Sequence, residues 1–122
     1  MRTEREYADL FVRVCDVDPK GVSRNVVDGI RRLSPQTVPA ADVLVGSDGI
    51  LAVDLDLYPT AYRLQPGHRI RVQVSGGAFP RFARNFGTPE PFAAATMARR
   101  CRFEIYVDSQ HPAYVLLPVL PR

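Results

Sequence analysis

The side chains with reactive potential are few and far apart. His68 and His111 could serve as general bases, Cys15 and Cys101 as nucleophiles or metal ligands, and Asp54 and Asp56, spaced i, i+2, as paired carboxylates. None of them finds in the sequence the company that such chemistry needs. His68 sits in a Pro-Gly turn and His111 directly precedes Pro112, positions where histidine is ordinarily a solvated polar residue. Asp54 and Asp56 fall on the polar side of an alternating segment, the solvent face of an amphipathic strand. The stretch Gly46-Ser47-Asp48-Gly49 lacks the residue that separates glycine from serine in a GxSxG nucleophile elbow. Neither cysteine has a CxxC partner or a histidine at metal-ligand spacing, and no glycine-rich phosphate loop precedes a helix. The residues therefore assign no catalytic group, no metal site and no cofactor, and the two thiols are expected to be free and half-buried in a reducing compartment.

Charge excludes further classes. The net charge is +3, carried by fifteen arginines and a single lysine. A nucleic-acid surface would cluster them. Here Arg5, Arg13, Arg24, Arg63, Arg81 and Arg122 are dispersed among acids, and the densest group, Arg99, Arg100 and Arg102, is short. No nucleic-acid partner is expected. The N-terminus, MRTEREYADLF, is charged with no apolar run behind it, unlike a signal peptide, and no stretch approaches the roughly 18 apolar residues of a membrane span. The expectation is a cytoplasmic chain with no membrane partner.

The elements that must position these residues are strands. In DLFVRVCDV, Leu10, Val12 and Val14 alternate with Phe11, Arg13 and Cys15. Asp18-Pro19-Lys20-Gly21 has the residue preferences of a type I turn, after which Arg24 to Ile30 reads as the second strand of a hairpin. Ser34 to Gly49, with two prolines and two glycines, reads mostly as loop. Ile50 to Leu57 alternates clearly and ends at Tyr58-Pro59. Gln65-Pro66-Gly67-His68 signals a type II turn ahead of the alternation Ile70, Val72, Val74. Phe103, Ile105 and Val107 form a further period-two run, and Tyr114 to Leu120 reads as a last apolar edge strand because of Pro118. Glu90 to Arg100 has no apolar stripe and reads as loop or a single turn. At 122 residues and 46% apolar content, this is one all-β domain with material for a sizeable core.

One loop stands out. SGGAFPRFARNFGTPEP, Ser75 to Pro91, holds three glycines, three prolines, three phenylalanines and two arginines. Gly76-Gly77 releases the chain from the preceding strand and Phe79-Pro80 turns it over. Phe82 and Phe86 are spaced to anchor it, leaving Arg81, Arg84 and Asn85 for polar contacts. Two readings stand: a packed corner whose arginines bond locally, and a docking surface formed by Phe79, Arg81, Phe82, Arg84, Asn85 and Phe86.

Several segments taken together carry a resemblance. ADLFVRVCDVDPKGVSRNVVDGI (Ala8 to Ile30), VDLDLYPTAYRLQPGHRIRVQVSGGAFPRFARNFGT (Val53 to Thr88) and DSQHPAYVLLPVLP (Asp108 to Pro121) resemble, in that order, the C-terminal domain of the cocaine esterase and X-Pro dipeptidyl-peptidase (CocE/NonD) family of serine hydrolases. The match is loosest from Pro89 to Arg100. What the resemblance implies is a jelly-roll β-sandwich, similar to galactose-binding domains, appended to an α/β-hydrolase domain whose active site it helps to cover. The family's serine, aspartate and histidine lie in that hydrolase domain, and no position here matches them, so the chain alone is expected to be inactive. In the family, additional strands precede the segment matching ADLFVRV. Residues 1–122 are accordingly read as a single truncated domain lacking its first strands, with the hydrolase domain upstream or on a separate chain, and with an uncovered sheet edge open to homo-oligomer formation. Two other readings remain open at this point: a stand-alone carbohydrate- or ligand-binding β-sandwich module, for which Tyr58, Tyr62 and Tyr106 are the aromatic candidates, and a degenerate remnant.

Overall fold

The computed structural model describes residues 1–120; Pro121, which closes the tail motif, and Arg122 lie outside the described residues. Among those described there is no helix, and every strand pair is antiparallel. The domain is all-β, as the alternation requires. Seven strands, β1 (Arg2–Thr3), β2 (Ala8–Val17), β3 (Ser23–Leu33), β4 (Val43–Val45), β5 (Leu51–Val53), β6 (Arg69–Ser75) and β7 (Phe103–Glu104), form one three-stranded sheet, β3-β2-β6, and two small two-stranded sheets, β4-β5 and β1-β7.

The β2-β3 hairpin organises the rest. Its turn closes with Gly21 N–H donating to Asp18 O at 2.9 Å, and the Asp18 carboxylate accepts the backbone N–H groups of Lys20 and Val22 at 2.9 Å each. Gly21 has φ +89°, a conformation that an L side chain would strain. The ladder runs from Ala8↔Leu33 to Val17↔Ser23, with Val26 unpaired at a bulge between the Val14 and Cys15 registers. On its other edge β2 pairs with β6 from Phe11↔Ser75 to Val17↔Arg69 without a register break. The predicted type II turn delivers β6: His68 N–H bonds Gln65 O at 3.1 Å, and Gly67 has φ +81°.

Central β2 has both edges paired, and both of its faces are covered by segments packed on the sheet. Ala8, Leu10, Phe11, Val14, Cys15 and Val17 are buried together with Leu33, Val43 and Ile50. At Gly29 the crossing segment comes so close that a Cβ would lie 2.5 Å from Asp56 O, which only glycine permits. Tyr58 N–H bonds Asp28 O at 3.0 Å on the outer edge of β3.

Four expectations change. The β3 strand extends to Leu33, because pairing with β2 holds Arg31 and Arg32 in the ladder. The loop expected over Ser34–Gly49 contains β4, which pairs with β5 across a turn closed by Gly46 N–H to Ile50 O at 2.8 Å. The strands expected over Ile50–Leu57 and Phe103–Val107 shorten to Leu51–Val53 and Phe103–Glu104, where pairing with β4 and β1 ends. The strand expected over Tyr114–Leu120 is not formed: the segment is apolar throughout but joins no ladder. Glu90 to Arg100 contains a single turn, with Ala94 and Ala95 N–H bonding Pro91 O. The closed jelly roll implied by the resemblance remains an expectation, since the strands form three separate sheets.

Candidate functional site

Alternation along β2 puts Asp9, Phe11, Arg13 and Cys15 on one face, opposite Arg32, Ile30, Asp28 and Asn25 of β3. That face is polar yet covered, and the cover is the loop after β6. Asp9, whose side chain is fully buried, accepts a bidentate pair from Arg32 Nε and the Arg32 terminal nitrogen at 2.8 Å each, and a third bond from Asn85 Nδ2 at 2.9 Å. Those donors replace the water that the carboxylate loses. The bond from Asp9 in turn holds the Arg32 guanidinium above its ordinary pKa. Arg32 also donates to Ala83 O at 3.1 Å. Asp28 accepts from Arg81 at 3.0 Å and from Arg13 at 3.5 Å. Two acids of the sheet thus accept hydrogen bonds from residues 53 and 76 positions further along the chain, the charged Arg81 on Asp28 and the neutral amide of Asn85 on Asp9.

The loop residues divide accordingly. Phe82 packs against Phe11 with ring centroids 6.0 Å apart and stacks on Tyr58 at 6.5 Å. Phe86 stacks on Phe92 at 5.7 Å. Arg81 lies over the Phe82 and Tyr58 rings at 5.5 and 5.9 Å. Asn85 bridges, donating to Asp9 while its Oδ1 accepts Gly87 N–H at 2.9 Å. Phe79, 62% exposed, and Arg84, whose guanidinium sits 4.3 Å from the Phe79 centroid, form the outward tip. The structure brings Arg81, Phe82 and Asn85 together on the sheet and leaves Phe79 and Arg84 outside.

A second cluster was not legible in the sequence. The buried Asp16 accepts a hydrogen bond from Tyr62 OH at 2.8 Å and faces His68 Nδ1 at 2.8 Å. Burial pushes the Asp16 carboxyl up, but the bonds from Tyr62 and His68 outweigh it and hold the pKa below the usual value. The same bond to Asp16 raises the Tyr62 phenol. His68 is therefore a clasp between the type II turn and β2, and the solvated turn residue expected from the sequence is corrected. The only available signal was a polar residue on the apolar side of β2, where Asp16 follows Leu10, Val12 and Val14.

The other histidine is held by two acids. His111 Nε2 lies 2.9 Å from Asp48 and Nδ1 3.3 Å from Asp108. Those bonds, Asp48 first, raise the imidazole pKa above its ordinary 6.5. Asp48 is lowered, chiefly by the Ile50 N–H, then by His111; Asp108 is lowered chiefly by the His111 backbone N–H. The Ser34 and Ser75 hydroxyls bond Thr37 and Gly77 O, and the thiol contacts of Cys15 go to Asn25 and Gln73 at 3.6 Å. Both cysteines are free, Cys15 buried and Cys101 half-buried. Asp54 and Asp56 are exposed, on the outward side of their segment. Of the tyrosines, Tyr58 is stacked on Phe82, Tyr62 is spent on Asp16, and Tyr106 donates to Glu104 at 2.8 Å.

The fold and its polar site define an all-β module in which charged side chains bind a long loop to a sheet. Comparison with known proteins sharpens that class: residues 1–116 match the family model of the X-Pro dipeptidyl-peptidase C-terminal non-catalytic domain, and the chain belongs to that family. It is 31% identical to the cocaine esterase of Rhodococcus sp. (strain MB1 Bresler) over 93% of its own length and 20% of the esterase. It is 32% identical to proteins of Mycobacterium bovis and Mycobacterium tuberculosis whose names describe serine esterases, over 90% of this chain and 18% of each of theirs. The chain thus spans about a fifth of the length of these relatives. No solved structure was found to match it.

Proposed function

We propose that this chain is the non-catalytic C-terminal domain of a serine hydrolase of the esterase or X-Pro dipeptidyl-peptidase type, and that it packs on an α/β-hydrolase domain whose active site it helps to cover. The observation that carries the reading is the family match over residues 1–116, joined to relatives about five times as long. The surface supports it. Val107, Tyr114, Leu116, Val119 and Leu120 are 72–90% exposed, far more apolar area than one segment leaves in water by default. The Phe79–Arg84 tip offers a second exposed aromatic contact, with Phe82 and Asn85 fixing the loop beneath it. The substrate chemistry belongs to the hydrolase domain, in which a nucleophilic serine would be supplied.

Two measurements test this. The purified chain should not turn over p-nitrophenyl esters or Ala-Pro-anilide; turnover that survives replacement of every serine contradicts the assignment. A chimera in which this chain replaces the matched fifth of the Rhodococcus esterase should melt in one cooperative transition and keep esterase activity. Two independent melts, with the hydrolase part indifferent to its new neighbour, would sink the docking role.

A further inference from the structure

The stretch from residue 108 to residue 120 is tied to the rest of the molecule at one point. Only His111 and Val115 within it are even half-buried. β7 ends at Glu104, and among the described residues no backbone hydrogen bond joins 108–120 to any other element. The one polar side-chain link among them runs from His111 Nε2 to Asp48 Oδ2, 2.9 Å away on the turn between β4 and β5. An apolar segment that joins no ladder is thus moored by a single titratable ring.

We propose that His111 is a proton-operated latch: its imidazolium clamps the apolar tail to the β4-β5 turn, and loss of the ring proton frees residues 108–120 while the three sheets stay folded. The two acids around the ring are themselves fixed. Asp48 Oδ1 accepts the Ile50 N–H at 2.9 Å, and Asp108 Oδ1 accepts the Gln110 and His111 N–H groups at 2.9 and 2.8 Å. Nδ1 lies 3.3 Å from that same Asp108 oxygen. A neutral imidazole has one N–H and one lone pair, so only the doubly protonated ring donates to both carboxylates. The Nδ1–H tautomer keeps the bond inside the tail and turns a lone pair on Asp48; the Nε2–H tautomer turns it on Asp108, which the backbone holds in place. Either way the mooring loses its charge-assisted bond. The other charged or titratable groups nearby do not bond the ring. Arg2 donates to Asp48 O at 2.9 Å, the Met1 ammonium adds its charge near Asp48, and Tyr106, whose ring lies 5.4 Å from the imidazole, donates to Glu104. The raised imidazole pKa agrees with this arrangement: the latch is closed below the folded pKa of His111 and opens as pH climbs through it. The inference is independent of the hydrolase reading, since every group in it belongs to this chain.

The test is NMR of side-chain methyls and of the His111 ring on the full chain, titrated upward from about pH 5. The methyls of Ala113, Val115 and Leu116 should lose order at the midpoint of the His111 ring titration, while those of Val14 and Leu33 in the hairpin keep theirs. His111→Ala should leave the tail mobile at every pH and abolish the step. Asp48→Asn, which removes the acceptor on the body but spares the ring, should loosen the tail below the midpoint as well. Circular dichroism checks that both variants keep their sheets. Tail methyls that stay ordered through the His111 midpoint overturn the proposal. So does a step that survives His111→Ala, or a loosening that the hairpin methyls share.

Discussion

The β2-β3 hairpin and the tail from Ile105 to Leu120 are both rich in strand-forming residues and reach opposite ends. The hairpin strand alternates apolar and other residues, the tail is continuously apolar from Ala113 to Leu120, and both contain valine and leucine in quantity. In the hairpin, eight of the ten β2 residues are buried. In the tail, Leu116, Val119 and Leu120 are 81, 86 and 90% exposed, and no ladder forms. Period two specifies a strand's two faces, but a strand also needs a neighbour for its N–H and C=O groups. The hairpin brings its own neighbour across a four-residue turn. The tail has none within the described chain, so its apolar pattern expresses a demand that other protein would have to meet.

Substitutions can break this contrast, beginning with the strongest. Arg32→Ala strips the bidentate partner from a carboxylate with no solvent access, and should cost about 3–5 kcal/mol in urea unfolding, because Asp9 would remain buried with Asn85 alone. A loss near zero would mean that water reaches Asp9. A matched pair of leucine truncations measures the contrast directly. Leu33→Ala, at a site 1% exposed, should destabilise by about 2–4 kcal/mol, while Leu116→Ala, at 81%, should stay within about 0.5 kcal/mol. Equal effects would show that the tail is packed in solution.

The smallest effect is a pH dependence. His111 is raised above 6.5, so the stability it lends is complete below that value and is lost as pH climbs through its folded pKa. Asp48 and Asp108 are lowered below 3.8, so their share is present above that value and fades as pH falls through their folded pKa values. The bond between tail and β4-β5 turn should therefore be firmest between the two ordinary values. An NMR titration of the His111 ring should report a midpoint above 6.5 that drops toward 6.5 in Asp48→Asn; an unmoved midpoint would show that Asp48 does not hold it.

Much of the fold was legible because it is local. The two glycine turns, the hairpin and β6 follow from spacing and turn chemistry over ten or so residues, and the loop was recognisable as an anchored corner from Phe82 and Phe86. What the sequence concealed depends on distance. β4 could not be read because its three residues become a strand only against β5, and the shortening of β5 and β7 is set by where their partners stop. The Asp9–Asn85 and Asp16–His68 contacts join residues 76 and 52 positions apart, and no local pattern pairs them. The family resemblance supplied the class where the residues alone stopped at an all-β domain.

Asp9 and Asp28 each have one arginine within the hairpin and take a further donor from the loop, Arg81 for Asp28 and the Asn85 amide for Asp9. A nascent or clipped chain ending before Arg81 would own a complete β2-β3 turn and ladder, yet would present Asp28 and Asp9 to its interior with two of their four donors unsynthesised. Such a fragment has every local reason to fold but leaves two acids short of donors. Release of the loop by proteolysis should therefore loosen the sheet it covers, and the order in which the ribosome delivers the chain makes residues 81–85 the point at which the donor sets of Asp28 and Asp9 are completed.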